Sequence, residues 1–215
     1  MKIQFAINVP RWLEMALVCV VLNYRRLRYG EAFRIIPLTR GLRAIVSPED
    51  YERLAEFKWH SARHGRTIYA QHGTGSAKAG RRRGYLVMMH REVMGVVDER
   101  YVDHRNHNGL DNRRTNLRIA TWEENCWNKR KPNKNSSSIY KGIMWNKRRS
   151  TWEVMIGYKG KKIFIGYFDD EVEAARAYDA KAKELYGEFA ELNFPEQTDP
   201  LGDWSFRICF GKFTG

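Results

Sequence analysis

Apolar and polar positions alternate in several short stretches and change to a helical period toward the C-terminal end. Trp152, Val154 and Ile156 alternate with Thr151, Glu153 and Met155, and Ile163 and Ile165 alternate with Lys162 and Phe164. Each pattern predicts a half-buried strand, and Tyr158-Lys159-Gly160 supplies the turn between them. A further strand is predicted over Tyr140 to Trp145. After it comes a helix in which Ala175, Tyr178, Ala182 and Leu185 would face the sheet. Asp170 is its expected cap with Glu173 as reciprocal partner, and Gly187 its stop. Trp152 shares a face with Val154 and Ile156 and is read as core.

The N-terminal half is less regular. Ile35, Ile36 and Leu38, then Leu42, Ala44 and Val46, predict two strands around Thr39-Arg40-Gly41. Ser47, with Pro48 behind it, predicts the start of a short helix capped through Ser47 and Asp50. Thr67 to Ala70 and Tyr85 to Val87 are further strands, separated by a Gly-bounded basic loop, Gly73 to Gly84. The run from Trp12 to Leu22 is mostly apolar but too short to span a bilayer. No small-residue cleavage site follows it, so a signal peptide is not expected. It reads as an extension ahead of the first domain, or else as a short buried or self-associating helix. The expected organisation is an extension (1–32), a β-rich part (33–97), a polar, chemistry-bearing segment (98–131), a linker (132–138), a small sheet-and-helix domain (139–195) and a tail holding Trp204, Phe206 and Phe210 (196–215).

Charge changes this picture most. Lys and Arg number 38 against 25 Asp and Glu, a formal charge of +13 in 215 residues. This points to a polyanionic partner. Hydrophobic residues make up 43%, which excludes a disordered basic tail. The excess is unevenly placed. From His60 to Arg91 there are seven basic residues and no acidic one, and from Lys129 to Arg149 eight and none. Phe168 to Asp203 holds eleven acidic residues against three basic, so the helix side of the last domain would repel a nucleic acid and its strand side would bind it. The cations expected to meet phosphate are Lys78, Arg81, Arg82 and Arg83 in the loop, Arg91, then Arg105, Arg113 and Arg114, then Lys129 and Arg130, and Lys141, Lys147, Arg148, Arg149 and Lys162 in the last domain. The three Cys, at 19, 126 and 209, make no CxxC pair, so neither structural zinc nor a disulfide framework is expected, and a reducing compartment is the simplest reading.

The densest polar cluster runs from Tyr101 to Arg118 and continues to Asn125. Phosphodiester hydrolysis needs an anionic ligand for a divalent cation, a general base, and a group that orients the base. Asp103 can supply the first and His104 the second. The carboxamide of Asn116 can hold the imidazole, and Asn125 can add a neutral oxygen ligand. His107, His60, His64 and His72 have no acidic partner near them in sequence and are read as surface residues.

This pattern resembles the HNH endonucleases, in the subgroup whose last His is replaced by Asn. Asp103-His104 matches the acidic ligand and first His, Asn116 before Leu117-Arg118 the middle Asn, and Asn125 after Glu123-Glu124 the last metal ligand. Met89-His90-Arg91 resembles the His-Arg pair that opens a helix ahead of the finger, giving His90 a structural or phosphate-contacting role. Residues 140–195 are similar to the plant apetala and ethylene-response DNA-binding domain, through Tyr140-Lys141-Gly142-Ile143, Trp152-Glu153-Val154, Gly166-Tyr167-Phe168, Ala174 to Asp179 and Leu192-Asn193-Phe194-Pro195. The resemblances imply an α+β chain: a ββα-metal finger nuclease followed by a small three-stranded sheet packed on one helix. They also imply Mg²⁺ as cofactor, with Mn²⁺ substituting, double-stranded DNA as partner, and no membrane.

The implied activity is that of a homing endonuclease of phages and mobile introns, acting in the cytoplasm of a bacterial or phage-infected cell. It would nick or cut DNA as a monomer or a DNA-induced dimer. Where the plant domains offer several arginines from the sheet, this chain has Lys141, Met144, Met155, Gly157, Lys162 and Phe164, so their base preference does not carry over. Two other readings compete. One is a DNA-binding transcription regulator with an inactive nuclease site, and the other an RNA-binding protein favoured by the aromatic and basic content.

Overall fold

A computed structural model describes residues 10–74, 85–129 and 136–195. Lys78, Arg81, Arg82, Arg83, Arg130 and the tail aromatics Trp204, Phe206 and Phe210 lie outside the described residues. The chain opens with α1 (Arg11–Tyr29), then β1 (Arg34–Pro37), β2 (Arg43–Val46), α2 (Pro48–Ala55), β3 (His60–His64), β4 (Thr67–Gly73), β5 (Leu86–Met88) and α3 (Met89–Met94). It continues through β6 (Tyr101–His104), β7 (Asp111–Asn112), β8 (Leu117–Ala120) and α4 (Trp122–Trp127). Last come β9 (Ile143–Asn146), β10 (Thr151–Tyr158), β11 (Lys161–Phe168) and α5 (Glu171–Tyr186). These elements fall into two compact units. One takes residues up to Val97 together with Asn106–Leu117, and the other Asp98–Arg105 with the chain from Arg118 onward.

In the first unit β1 and β2 pair antiparallel, and β7 joins β2 in parallel through Ile45 opposite Asp111 and Val46 opposite Asn112. The strand predicted from Leu42 thus has partners on both sides, and Ala44, Ile45 and Val46 are all buried. A second antiparallel sheet, β3-β4-β5, carries α3 behind it, with Met89 and Val93 buried. The loop before β7 crosses β4 so closely that a Cβ on Gly109 would lie 2.5 Å from the Ile68 carbonyl oxygen, so only glycine fits there.

Three readings of this half are corrected. The run at 12–22 lies within a helix that extends to Tyr29 and buries none of its residues, which removes only the buried-helix alternative, and no described helix is long and apolar enough to cross a membrane. Ser47 stands at the N-cap of α2 but makes no cap bond, because its hydroxyl accepts the Arg114 N–H at 3.0 Å. His72 is buried, with its ring stacked 4.5 Å from Phe57 and edge-on to Trp59.

In the second unit β9, β10 and β11 form an antiparallel sheet with β10 central, and α5 lies against it. Val154, Ile156 and Ile143 meet Ala174, Ala175, Tyr178 and Ala182, with Trp152, Ile163 and Ile165 partly buried at the margin. The alanines let helix and strands approach closely. At Gly142 the approach is tighter still: φ is +81° and a Cβ would sit 2.1 Å from the Tyr178 ring. The turn between β10 and β11 has positive φ at both Lys159 and Gly160, the form that suits the strands' twist. Asp170 caps α5 by accepting the Glu173 N–H at 2.8 Å, but the reciprocal bond expected from Glu173 is not made. The full capping box is at α4 instead, between Thr121 and Glu124.

β6 and β8 form a two-stranded ladder in this unit, with α4 packed on β6. Trp127 of α4 stacks on Tyr186 at 4.7 Å, and its carbonyl accepts Lys141 Nζ at 2.6 Å. These contacts join α4 to the sheet and to α5.

Candidate functional site

Asp103 and His104 end β6, and both are buried. A buried carboxylate needs partners, and two residues supply them. Arg118, on the adjacent strand β8, donates from Nε at 2.9 Å and Nη2 at 2.7 Å, both to Oδ2. Asn128, just past α4, donates from Nδ2 at 2.9 Å to each carboxylate oxygen and at 3.3 Å to the His104 carbonyl. Arg118 is itself fixed, with its guanidinium 4.0 Å over the Phe189 ring and Nη1 donating to the Glu188 carbonyl. Neither Arg118 nor Asn128 emerges as a site residue from the sequence pattern. The available signal was spacing, since Asn125 and Asn128 are three apart and therefore share one side of a helical turn.

Two oxygen-bearing side chains here remain able to take a further partner. Oδ2 of Asp103 is saturated by three N–H contacts, whereas Oδ1 accepts only from Asn128 and keeps lone-pair capacity. Asn125 lies on α4, half-buried, and among the described residues its carboxamide takes no hydrogen bond. Taken by type, a carboxylate oxygen and an amide oxygen are both ligands that a hard cation accepts. Among the described residues no group of three His, Cys, Asp or Glu side chains is placed to hold a metal.

Asn116 belongs to the first unit and is occupied there. Its Oδ1 accepts the Asn106 N–H at 3.1 Å, and its Nδ2 donates to Asn106 Oδ1 at 3.0 Å and to the Asp111 carbonyl at 2.7 Å. Both amide hydrogens are used, so Asn116 braces the 106–116 loop rather than donating to an imidazole. His90 lies in the same unit, with its ring 5.4 Å from that of Tyr69.

The expected phosphate-facing cations divide sharply. Arg113 is buried, forking onto Asp111 at 2.8 and 2.6 Å and reaching Glu31 at 2.8 Å. Arg114 forks onto the buried Asp50 at 2.7 and 2.8 Å. Lys141 is half-buried, with its Nζ donating to the Trp127 carbonyl, and burial lowers its pKa to about 8. Arg113 is thus committed to internal carboxylates, Lys141 to a backbone carbonyl, and Arg114 stays exposed while paired with Asp50. Arg105 is half-exposed and paired with Glu188 at 2.7 Å, and Arg91 is half-buried on α3.

Lys129, Lys147, Arg148, Arg149 and Lys162 are exposed. The turn after β9 presents three of these, because Asn146 Oδ1 accepts the Arg148 and Arg149 N–H groups and folds the chain back. Arg149 then lies 4.5 Å over the Tyr167 ring.

No protein-family model matches the chain. It is 28% identical over 167 residues to an uncharacterized HNH endonuclease of Acanthamoeba polyphaga mimivirus, covering 75% of this chain and 80% of that protein. It is 36% identical over 92 residues to protein 3.8 of Escherichia phage T7, covering 43% of this chain and 74% of the phage protein. Over 67 residues it is 42% identical to dehydration-responsive element-binding protein 2D of Arabidopsis thaliana, covering 29% of this chain and 31% of the plant protein. The chain belongs to the same family as the phage protein, and it has partial homology to HNH-type endonucleases and to AP2/ERF DNA-binding domains.

Proposed function

We propose that the chain is a metal-dependent DNA endonuclease of the HNH class, with β6, β8 and α4 as its ββα-metal finger and β9–β11 with α5 as its DNA-binding part. The observation that carries this is the half-used carboxylate of Asp103, with one oxygen saturated by Arg118 and Asn128 and the other still able to take a ligand, beside His104. His104 is the general base that takes a proton from the attacking water. Asp103 Oδ1 and Asn125 would hold Mg²⁺ or Mn²⁺, which would offset charge on the scissile phosphate. Asn128 fixes both members of the pair at once, holding the Asp103 side chain and the His104 carbonyl. The exposed Lys147, Arg148, Arg149 and Lys162 lie along the duplex, and their yield of affinity falls with salt. Homing of a mobile element is the setting that this pairing of modules suits.

One observation favours a second reading. The Arg118–Asp103 pair already neutralises the carboxylate, as a DNA-binding regulator with a silent nuclease site would permit. Incubating supercoiled and linear DNA with the purified chain, with Mg²⁺, with Mn²⁺ and with EDTA, separates the two. Cation-dependent nicking that is lost in His104→Ala supports the nuclease. Binding with no cutting under any cation establishes the regulator.

A further inference from the structure

The face of the β9–β11 sheet turned away from α5 has an unusual composition for a surface surrounded by cations. Register places Met144, Glu153 and Tyr167 in one cross-strand row, Met155 and Phe164 in the next, and Gly157 and Lys162 in the third. Met144 and Phe164 are each 51% exposed and Tyr167 is 40% exposed, although the opposite face buries Val154 and Ile156 completely or nearly so. Phe164 and Tyr167 touch, with ring centroids 4.8 Å apart, so the apolar surface is continuous along β11. Its borders are basic: between Tyr140 and Phe168 there are seven Lys or Arg and a single acidic residue, Glu153. Glu153 is held within the face by Asn146, whose Nδ2 reaches its Oε2 at 2.7 Å. Of the cations, Lys147, Arg148, Arg149, Lys159, Lys161 and Lys162 are exposed at the turns and strand ends, around the apolar rows.

A polyanion drawn to the rim must bring apolar groups to the centre. Double-stranded DNA does so at one place, the 5-methyl of thymine, which projects into the major groove. A two- or three-stranded sheet fits that groove. The face offers no arginine fork for guanine at its centre, but it offers flexible thioethers and a phenyl ring, the groups that pack on a methyl. Resting on the proposed DNA-binding role of this sheet, we propose that Met144, Met155 and Phe164 make it a reader of pyrimidine 5-methyl groups. Thymine-rich duplex is then its preferred substrate, and the rim cations supply affinity without base preference.

The full chain is titrated in EDTA, which prevents cutting, against four 30-bp duplexes: alternating A·T, the same with deoxyuridine for thymidine, alternating G·C, and the same with 5-methylcytosine. Base pairing is unchanged within each pair, and only the methyl differs. The expected result is weaker binding to the deoxyuridine duplex and tighter binding to the methylcytosine duplex, by about fourfold for each methyl in contact. Both differences should shrink toward unity in Phe164→Ala and in Met144→Ala, whose exposed side chains can be lost without opening the core. Equal affinity within each pair overturns methyl reading and leaves DNA binding intact. So does tighter binding to an RNA duplex of the same length, since RNA lacks the methyl. Failure to bind any duplex overturns the DNA-binding reading itself.

Discussion

Arg118 sends both its Nε and its Nη2 to the same oxygen of Asp103, at 2.9 and 2.7 Å. A bidentate fork would occupy both oxygens, whereas here the two donors of the guanidinium's Nε edge converge on one. The carboxylate is thereby fixed in orientation and partly neutralised, yet not consumed.

Breaking that grip leaves a buried charge unpaired. Arg118→Met should destabilise the chain by about 3–5 kcal/mol. Equilibrium urea unfolding checks this, and a loss below about 1 kcal/mol would mean that the pair is not buried in solution.

Asn125 and Asn128 should separate by phenotype. Asn128→Ala removes a buried donor from Asp103 and should cost roughly 1–3 kcal/mol of stability. Asn125→Ala should leave stability nearly unchanged and raise the Mg²⁺ concentration needed for half-maximal nicking. A Mg²⁺ titration of nicking beside a melting curve for each variant reads both effects.

His104→Ala should lower the nicking rate by roughly 10² to 10⁴ while DNA affinity changes little. Single-turnover cleavage and a binding titration on the same preparation give the two numbers. A rate within threefold of the parent removes His104 from the base role.

Stability should rise and then fall on the alkaline side. Burial lowers the Lys141 pKa to about 8, so above that pH the folded chain releases a proton that the unfolded chain keeps up to its ordinary value of 10.5. The unfolded state then binds more protons, and stability increases with pH. Tyr178, raised well above its ordinary 10 by burial, does the reverse from pH 10 upward, when only the unfolded phenol ionises. Urea midpoints at pH 7, 9, 10 and 12 should therefore peak near 10 and fall at 12, and Lys141→Met should flatten the rise while leaving the later fall.

Removing Arg148 should reduce the salt slope of DNA binding by about 0.9, the value for one phosphate contact. Arg113→Ala should change stability far more than the slope, because Arg113 is bound to Asp111 and Glu31. Affinities at four salt concentrations measure both.

The residues legible in the sequence were those governed by local periodicity. Val154, Ile156, Ala175, Tyr178 and Ala182 recur at strand and helix spacing, and all five are buried. What stayed hidden depends on partners distant along the chain. Arg114 looks like Arg148 in sequence, but Asp50, 64 residues away, binds it; Arg113 has Asp111 two residues before it, yet its second carboxylate, Glu31, lies 82 residues away. Lys141 matched a basic surface by charge alone, yet the carbonyl of Trp127 and the burial around it decide its role. The Asp103–Arg118 pair was similarly invisible, since it forms only when β6 and β8 lie side by side. The imidazole partner expected in Asn116 failed for a related reason: the loop's own Asn106 and Asp111 take its amide first.

The chain leaves its second unit at residue 106 and returns at residue 118. Evolution by module exchange is constrained by that path. A crossover joint just before residue 118 would split Asp103 from Arg118, and one at residue 97 would strand the 106–117 loop among foreign strands. A joint in the linker after Lys129 would instead part Trp127 from Tyr186 and Lys141. Any chain assembled by a joint there has to co-adapt those three side chains afterwards. Descendants that exchange one part without the other should bear the scar as replacements at Trp127, Lys141 and Tyr186 together.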